Sequence, residues 1–98
     1  MEIKSNTYKY GRTIADVYSK GFYELVIKTT HYGNKYTATI QETIKDGEMS
    51  LPLEGGLFKL LVEEVGRFNV GRLDKVHALA QAEAINVYGD LIGERWSA

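Results

Sequence analysis

The segment FYELVIKTTHYGNKYTATIQETI, from Phe22 to Ile44, decides the fold that this sequence predicts. Gly33-Asn34 near its centre is typical of a two-residue hairpin turn. If the chain turns there, Tyr32 faces Lys35, and the apolar residues of both strands share one face. The opposite face then collects Glu24, Val26, Lys28, Thr30, Thr37, Thr39, Gln41 and Thr43. Alternation and turn chemistry therefore predict one β-hairpin with one register.

The composition is that of one globular domain. The chain has 98 residues, of which 44% are hydrophobic and 26% are charged, a balance typical of folded proteins. We therefore expect a single α+β domain over residues 1–98. The chain has no cysteine, which excludes disulfides and cysteine-ligated metal. Its apolar runs are too short for a signal peptide or a membrane helix, so we expect no membrane contact and a cytoplasmic location.

Charge is distributed unevenly along the chain. Residues 1–45 contain seven Lys and Arg against four Asp and Glu, whereas residues 46–98 contain five against nine. This pattern predicts a mildly basic sheet and an acidic helical region. Nucleic-acid-binding domains usually carry a larger basic excess, so the bias permits such a partner without indicating one.

The residues before the hairpin predict a further strand, from Tyr8 to Tyr18. Its register depends on the loop through Gly21. A three-residue loop places Ala15 and Val17 on the core face, whereas a two-residue loop places Ile14, Asp16 and Tyr18 there. We favour the three-residue loop. Gly11 is interpreted as a bulge or break, and the segment before Tyr8 as a frayed end.

Two helices are predicted after the hairpin. The turn Lys45–Glu48 and the segment Ser50–Gly56 lead to Leu57–Phe68, where apolar residues recur at helical spacing. Asn69 can cap a second helix, whose apolar stripe is Leu73, Val76, Ala80, Ala84, Val87 and Leu91. Asp90–Trp96 is read as a kinked continuation or a separate short turn. The predicted fold is thus β-β-β-α-α, an antiparallel sheet of three or four strands packed against two C-terminal helices.

The sequence predicts a binding protein. It contains no catalytic, metal or cofactor motif, so we expect neither an enzyme nor a bound cofactor. Exposed tyrosines and turn residues are typical of recognition surfaces. Glu42 falls on the core face opposite Leu25, where an unpaired carboxylate would be costly, so it marks a strand end, a bulge, a salt link or a functional residue. The partner-binding candidates are His31, Tyr32, Lys35, Glu42 and Phe22.

Two further features have competing interpretations. Gly66–Arg72 is read as an inter-helix turn, with an anion contact by Arg67 and Arg72 as the alternative. His77 lies one residue from the apolar stripe of its helix, where a solvated or capping histidine is the ordinary explanation.

The order of these elements resembles that of small phage-encoded anti-CRISPR proteins built as an antiparallel sheet covered by a helix pair. The resemblance runs from Phe22 to about Ala84, and one strand is a residue longer here. It implies an inhibitor of a host defence complex, the CRISPR surveillance complex, contacted by His31 or Tyr32 and by Glu42. The segments that carry it are Leu25-Val26-Ile27, Gly33-Asn34-Lys35, Gln41–Gly47 and Gly71-Arg72-Leu73.

A DNA-binding module is the alternative function. It resembles the arm-binding domains of phage integrases, in which a three-stranded sheet lies in the major groove. The lysines and arginine that motivate it are Lys20, Lys28, Lys35 and Arg12.

Overall fold

Six antiparallel β-strands form one sheet, and one helix covers a face of it in the described part of the chain. The structure, a computed structural model, describes the backbone of residues 3–96 and the side chains of residues 3–89. The elements are β1 (Lys4–Tyr10), β2 (Thr13–Lys20), β3 (Tyr23–Tyr32), β4 (Lys35–Asp46), β5 (Met49–Pro52), β6 (Phe58–Val65) and α1 (Val70–Trp96). Strands β1 to β4 lie side by side in chain order, and β5 and β6 follow one another along the free edge of β4.

The central hairpin has the predicted register, from Tyr23 opposite Ile44 to Tyr32 opposite Lys35. Gly33 has a φ of 63°, and no residue other than glycine has a positive φ in the described chain. A positive φ at only the first central position is that of a type II′ turn, whose twist matches the strands it joins. The predicted hairpin is therefore confirmed.

The same turn recurs at every hairpin of the sheet. Gly11, Gly21 and Gly47 each hold the first of two turn positions, with φ of 56°, 62° and 65°. Gly11 therefore separates β1 from β2, where the sequence predicted one strand with a bulge or break at Gly11, and residues 4–7 of the segment before Tyr8, predicted as a frayed end, belong to β1. Gly21 closes a two-residue loop, so the favoured three-residue loop is wrong and Asp16 faces the core.

The predicted fold class is wrong in two respects: the sheet has six strands, and the described chain has one helix. The residues assigned to a first helix, Leu57–Phe68, form β6 and its flanks. Strand β6 contains one extra residue, Leu61, where the pairing shifts between Ala38 and Thr39 of β4. This bulge interrupts the two-residue period, because Leu61 and Val62 both pack toward the core. The resulting apolar spacing imitates that of a helix.

Helix α1 begins directly after the predicted cap, Asn69, whose Oδ1 accepts a hydrogen bond from Arg72 N at 3.0 Å. Its small residues Ala80 and Ala84 let it lie close to the sheet. Val87, predicted for the core, is 59% exposed, and Tyr88 packs against the core instead. The predicted contact of Leu91 lies outside the described side chains, while the backbone of Asp90–Trp96 continues α1. The buried apolar core comprises Ile14, Ala15, Leu25, Ile27, Tyr36, Ala38, Ile40, Leu73, Val76, Ala80 and Ala84.

The described helix, α1, has no apolar stretch long enough to span a membrane.

Candidate functional site

Two buried side chains fix the linker between β6 and α1. The Tyr36 hydroxyl donates to the Arg67 carbonyl at 2.5 Å and accepts from the Asn69 amide at 2.8 Å. His31 Nε2 lies 2.8 Å from the Gly66 carbonyl oxygen and must donate, since a carbonyl can only accept. The Gly66 amide in turn donates to Asn34 O in the hairpin turn at 2.9 Å. These bonds make the linker and the turn one rigid base.

Basic residues surround an open cavity above this base. Arg67 projects from the fixed linker, and Arg72 and Lys75 come from the first turns of α1, whose amino terminus adds a partial positive charge. The cavity has a volume of about 460 Å³ and is lined by Tyr36, Gly66, Arg67, Asn69, Gly71, Arg72 and Lys75. A phosphate or carboxylate group fits such a site chemically, because guanidinium groups bind both in a bidentate manner.

The charge balance at this end of the sheet is positive. Asp74 pairs with Lys9 at 3.3 Å, Glu63 with Lys35 at 3.2 Å, and Glu64 with Arg72. No described carboxylate pairs with the three remaining basic side chains, which are Arg12, Arg67 and Lys75. We call this region the cationic end, comprising Lys9, Arg12, Lys35, Arg67, Arg72 and Lys75.

An exposed aromatic residue adjoins the cationic end. Tyr32 is 87% exposed at the hairpin turn, directly opposite Lys35. Arg12 lies in the neighbouring turn, with its guanidinium carbon 4.7 Å from the centre of the Phe68 ring. The predicted contact residues Tyr32 and Lys35 and the predicted anion residues Arg67 and Arg72 therefore occupy one end of the molecule.

The other predicted partner-binding residues are not in this group. Phe22 is 72% exposed, but it lies in the turn at the opposite end of β3, about 30 Å from Tyr32 along a ten-residue strand. His31 and Glu42 are buried on the face covered by α1. Their assignment as partner contacts stays a prediction, and in this structure both bind backbone groups of their own chain.

Glu42 of β4 forms hydrogen bonds with both ends of the loop between β5 and β6. Its Oε1 accepts a hydrogen bond from the Leu57 amide at 3.0 Å. Its own amide donates to Leu57 O at 2.8 Å, and its carbonyl accepts from the Leu53 amide at 3.1 Å. The loop Leu53–Leu57 thus begins and ends on one residue of β4.

A buried polar network that the sequence did not predict lies under α1. His77 Nε2 lies 3.0 Å from Asp16 Oδ2, and His77 Nδ1 lies 2.7 Å from Thr29 Oγ1. Gln81 Nε2 also donates to Asp16 Oδ2, and Thr7 Oγ1 donates to Asp16 Oδ1. The solvated histidine expected at position 77 is wrong, since His77 is 5% exposed. Recognition of the two-residue loop at Gly21 would have placed Asp16 beneath the helix.

The order carboxylate, imidazole, hydroxyl in this network is that of a catalytic triad. Thr29 has no exposed surface, however, so a substrate cannot reach its hydroxyl. We interpret the network as structural. Within the described residues, no group of three His, Asp or Glu side chains lies close enough to hold a metal ion.

Comparisons of the chain with protein-family models, curated proteins and solved structures found no match.

Proposed function

We propose that this chain is a small non-enzymatic binding protein that contacts a ribonucleoprotein partner through its cationic end and Tyr32. The observation that carries the proposal is that Arg12, Arg67 and Lys75, which pair with no described carboxylate, lie at the same end of the molecule as Tyr32, which is 87% exposed. Arginine and tyrosine are the residues most enriched among the energetically dominant contacts of interfaces.

The partner chemistry follows from the charge. A surplus of cations on a rigid base favours phosphate groups, which arginine can bind through two parallel hydrogen bonds. A ribonucleoprotein offers such phosphates beside protein surface, where Tyr32 can bury its ring. The resemblance to anti-CRISPR proteins suggests a CRISPR surveillance complex as this partner. The protein would then be a cytoplasmic inhibitor of a host defence complex.

Affinity capture with purified CRISPR surveillance complexes tests the proposal. Tyr32→Ala and Arg67→Ala should each weaken binding at least ~10-fold, equivalent to about 1.4 kcal/mol. Phe22→Ala is the matched control, since it removes a similarly exposed aromatic ring from the opposite end. Capture of no complex, together with unimpaired phage restriction in cells that express the protein, would eliminate the anti-CRISPR function. Normal binding by both variants and loss of binding by Phe22→Ala would place the site at the other end.

The alternative function, DNA binding, was based on a three-stranded sheet. The sheet in the structure has six strands. The remaining support for DNA binding is basic side chains on the open sheet face, of which Lys28 lies in a central strand. A gel shift at low salt separates the two functions, because phosphate contacts are strongest there. Tight binding of naked duplex DNA that Lys28→Ala weakens and Arg67→Ala does not would favour the alternative.

A further inference from the structure

The two edges of the sheet differ in chemistry. The β1 edge is polar, and its lysines and hydroxyls are typical of edges that resist pairing with other chains. On the helix-covered face, Lys9 forms an ion pair with Asp74, and Thr7 donates a hydrogen bond to Asp16. Strand β6 on the far edge has the sequence FKLLVEEV, and Phe58, Leu60 and Val65 are more than half exposed on it. An apolar edge strand of eight residues is a site for pairing with another strand.

A groove runs beside this apolar edge. It has a volume of about 710 Å³ and lies between β6 and α1. Leu61 and Val62 line the strand side, and Leu79 and Val87 line the helix side. The two helix residues are both more than half exposed. The helix therefore presents apolar side chains toward the β6 edge, whereas Asp74, His77 and Gln81 bind groups on β1 and β2.

The sequence of β6 is complementary to itself when two copies run antiparallel about a centre between Leu61 and Val62. Phe58 then faces Val65 of the other copy, which pairs two apolar residues. Lys59 of each copy faces Glu64 of the other copy, so two pairs of opposite charges form about the two-fold axis. Leu61 faces Val62 on the core side, and Leu60 faces Glu63 on the open face, the one pair that joins an apolar residue to a charged one. Cross-strand pairs of two apolar residues or of opposite charges stabilise antiparallel sheets.

The bulge at Leu61 is what makes this pairing geometrically consistent. In a regular strand, residues separated by an odd number of positions lie on opposite faces, so Phe58 and Val65 could not face each other. Here they lie opposite Gln41 and Lys35, which share a face of β4. Lys59 and Glu64 likewise lie opposite Ile40 and Tyr36. Phe58 and Val65 therefore share one face of the sheet, and Lys59 and Glu64 share the other.

We propose that β6 binds β6 of a second copy of this chain, giving a two-fold symmetric dimer with a continuous antiparallel sheet. The symmetry axis is perpendicular to the sheet, so both helices lie on the same face. Leu79 and Val87 of each copy then line the seam, and the groove beside β6 is covered by the other copy. Arg72 of the cationic end adjoins these pairs, because its ion-pair partner Glu64 is the residue that faces Lys59 of the other copy.

Disulfide trapping tests the register, because the chain has no cysteine of its own. The double variant Lys59→Cys/Glu64→Cys should form a disulfide-linked dimer under mild oxidation, since residues 59 and 64 of one strand are about 17 Å apart and cannot bridge within a chain. Lys4→Cys/Lys9→Cys is the matched control, with the same spacing on the β1 edge, and should stay monomeric. Lys59→Cys alone should also stay monomeric. Equal cross-linking of all three variants would overturn the proposal.

Sedimentation equilibrium tests the dimer without cross-links. Phe58→Lys should raise the dimer dissociation constant at least ~10-fold, because lysine replaces an exposed apolar residue that faces Val65 of the other copy. Tyr10→Lys should leave it unchanged, since Tyr10 is similarly exposed on the β1 edge (59% against 62%). Circular dichroism would verify that both variants are folded. A wild-type chain that stays monomeric up to about 100 μM, well above the micromolar range of weak dimers, would overturn the proposal.

Discussion

Replacement of Asp16 by alanine should lower the free energy of unfolding by about 3–5 kcal/mol, because a buried donor left unsatisfied costs about 1–3 kcal/mol and Asp16 accepts from three side chains. Two side chains donate to its Oδ2, Gln81 at 2.5 Å and His77 at 3.0 Å, and Thr7 donates to its Oδ1 at 2.8 Å. Alanine leaves these donors without their acceptor, and His77, which is 5% exposed, has little access to water that could replace it. Since small domains unfold at about 5–15 kcal/mol, the loss is a large fraction of total stability.

Urea unfolding followed by circular dichroism measures this loss. With a urea dependence of about 1–3 kcal/mol per M, the midpoint should fall by at least ~1 M. Asp74→Ala is the control, because the Asp74 side chain is 48% exposed in its pair with Lys9 and should cost under about 1 kcal/mol. Asp16→Asn, which keeps the shape, should lie between the two and remain measurable if the alanine variant does not fold. Equal effects of Asp16→Ala and Asp74→Ala would refute the role assigned to the network.

Three other substitutions have defined outcomes. Gly56→Ala should destabilise by about 1–3 kcal/mol in thermal unfolding, because the new Cβ would lie 2.9 Å from Leu53 Cβ and from its carbonyl oxygen. Gly89→Ala in α1, where nothing lies within 4 Å of the new Cβ, should stabilise by up to about 1 kcal/mol; a loss of stability there would contradict the open space seen. The pKa of Tyr18 is raised above 10.0 by burial and secondly by the Asp16 carboxylate. The unfolded chain therefore releases this proton at a lower pH than the folded chain, so stability should fall as pH rises above about 10, and Tyr18→Phe should flatten that decline.

The hairpin turns explain which strands sequence analysis could place. Gly33-Asn34 is flanked by long alternating strands, so turn and alternation specified the same pairing. Gly11 and Gly21 occupy the same turn position, but the strand between them is short and mixes apolar residues with Asp16. Alternation alone left its register open there. Treating each glycine as the start of a two-residue turn would have given both β1 and the correct face of β2.

The apolar pattern of β6 alone could not identify this segment as a strand. Its extra residue changes the spacing of apolar positions from two to that of a helix, and the reason for the change lies in its pairing with β4. For a similar reason, the sequence predicted only part of the candidate site. Residue types identified Arg67 and Arg72, whereas the supporting hydroxyl of Tyr36 joins them only through the hydrogen bonds of the folded linker, and Lys75 follows Arg72 by about one turn of α1.

The loop between β5 and β6 offers a place where the chain can be lengthened. Leu53 and Leu57 both bind the backbone of Glu42, and the Gly56 amide donates to Leu53 O at 2.9 Å. These hydrogen bonds close the loop between the end of β5 and the start of β6. Added residues between Glu54 and Gly55 would leave the ladder on each side in register, and loop closure costs only about 0.6 kcal/mol for each doubling of length. This position therefore suits a peptide epitope or a fluorophore attachment site, introduced without altering either sheet edge or the cationic end.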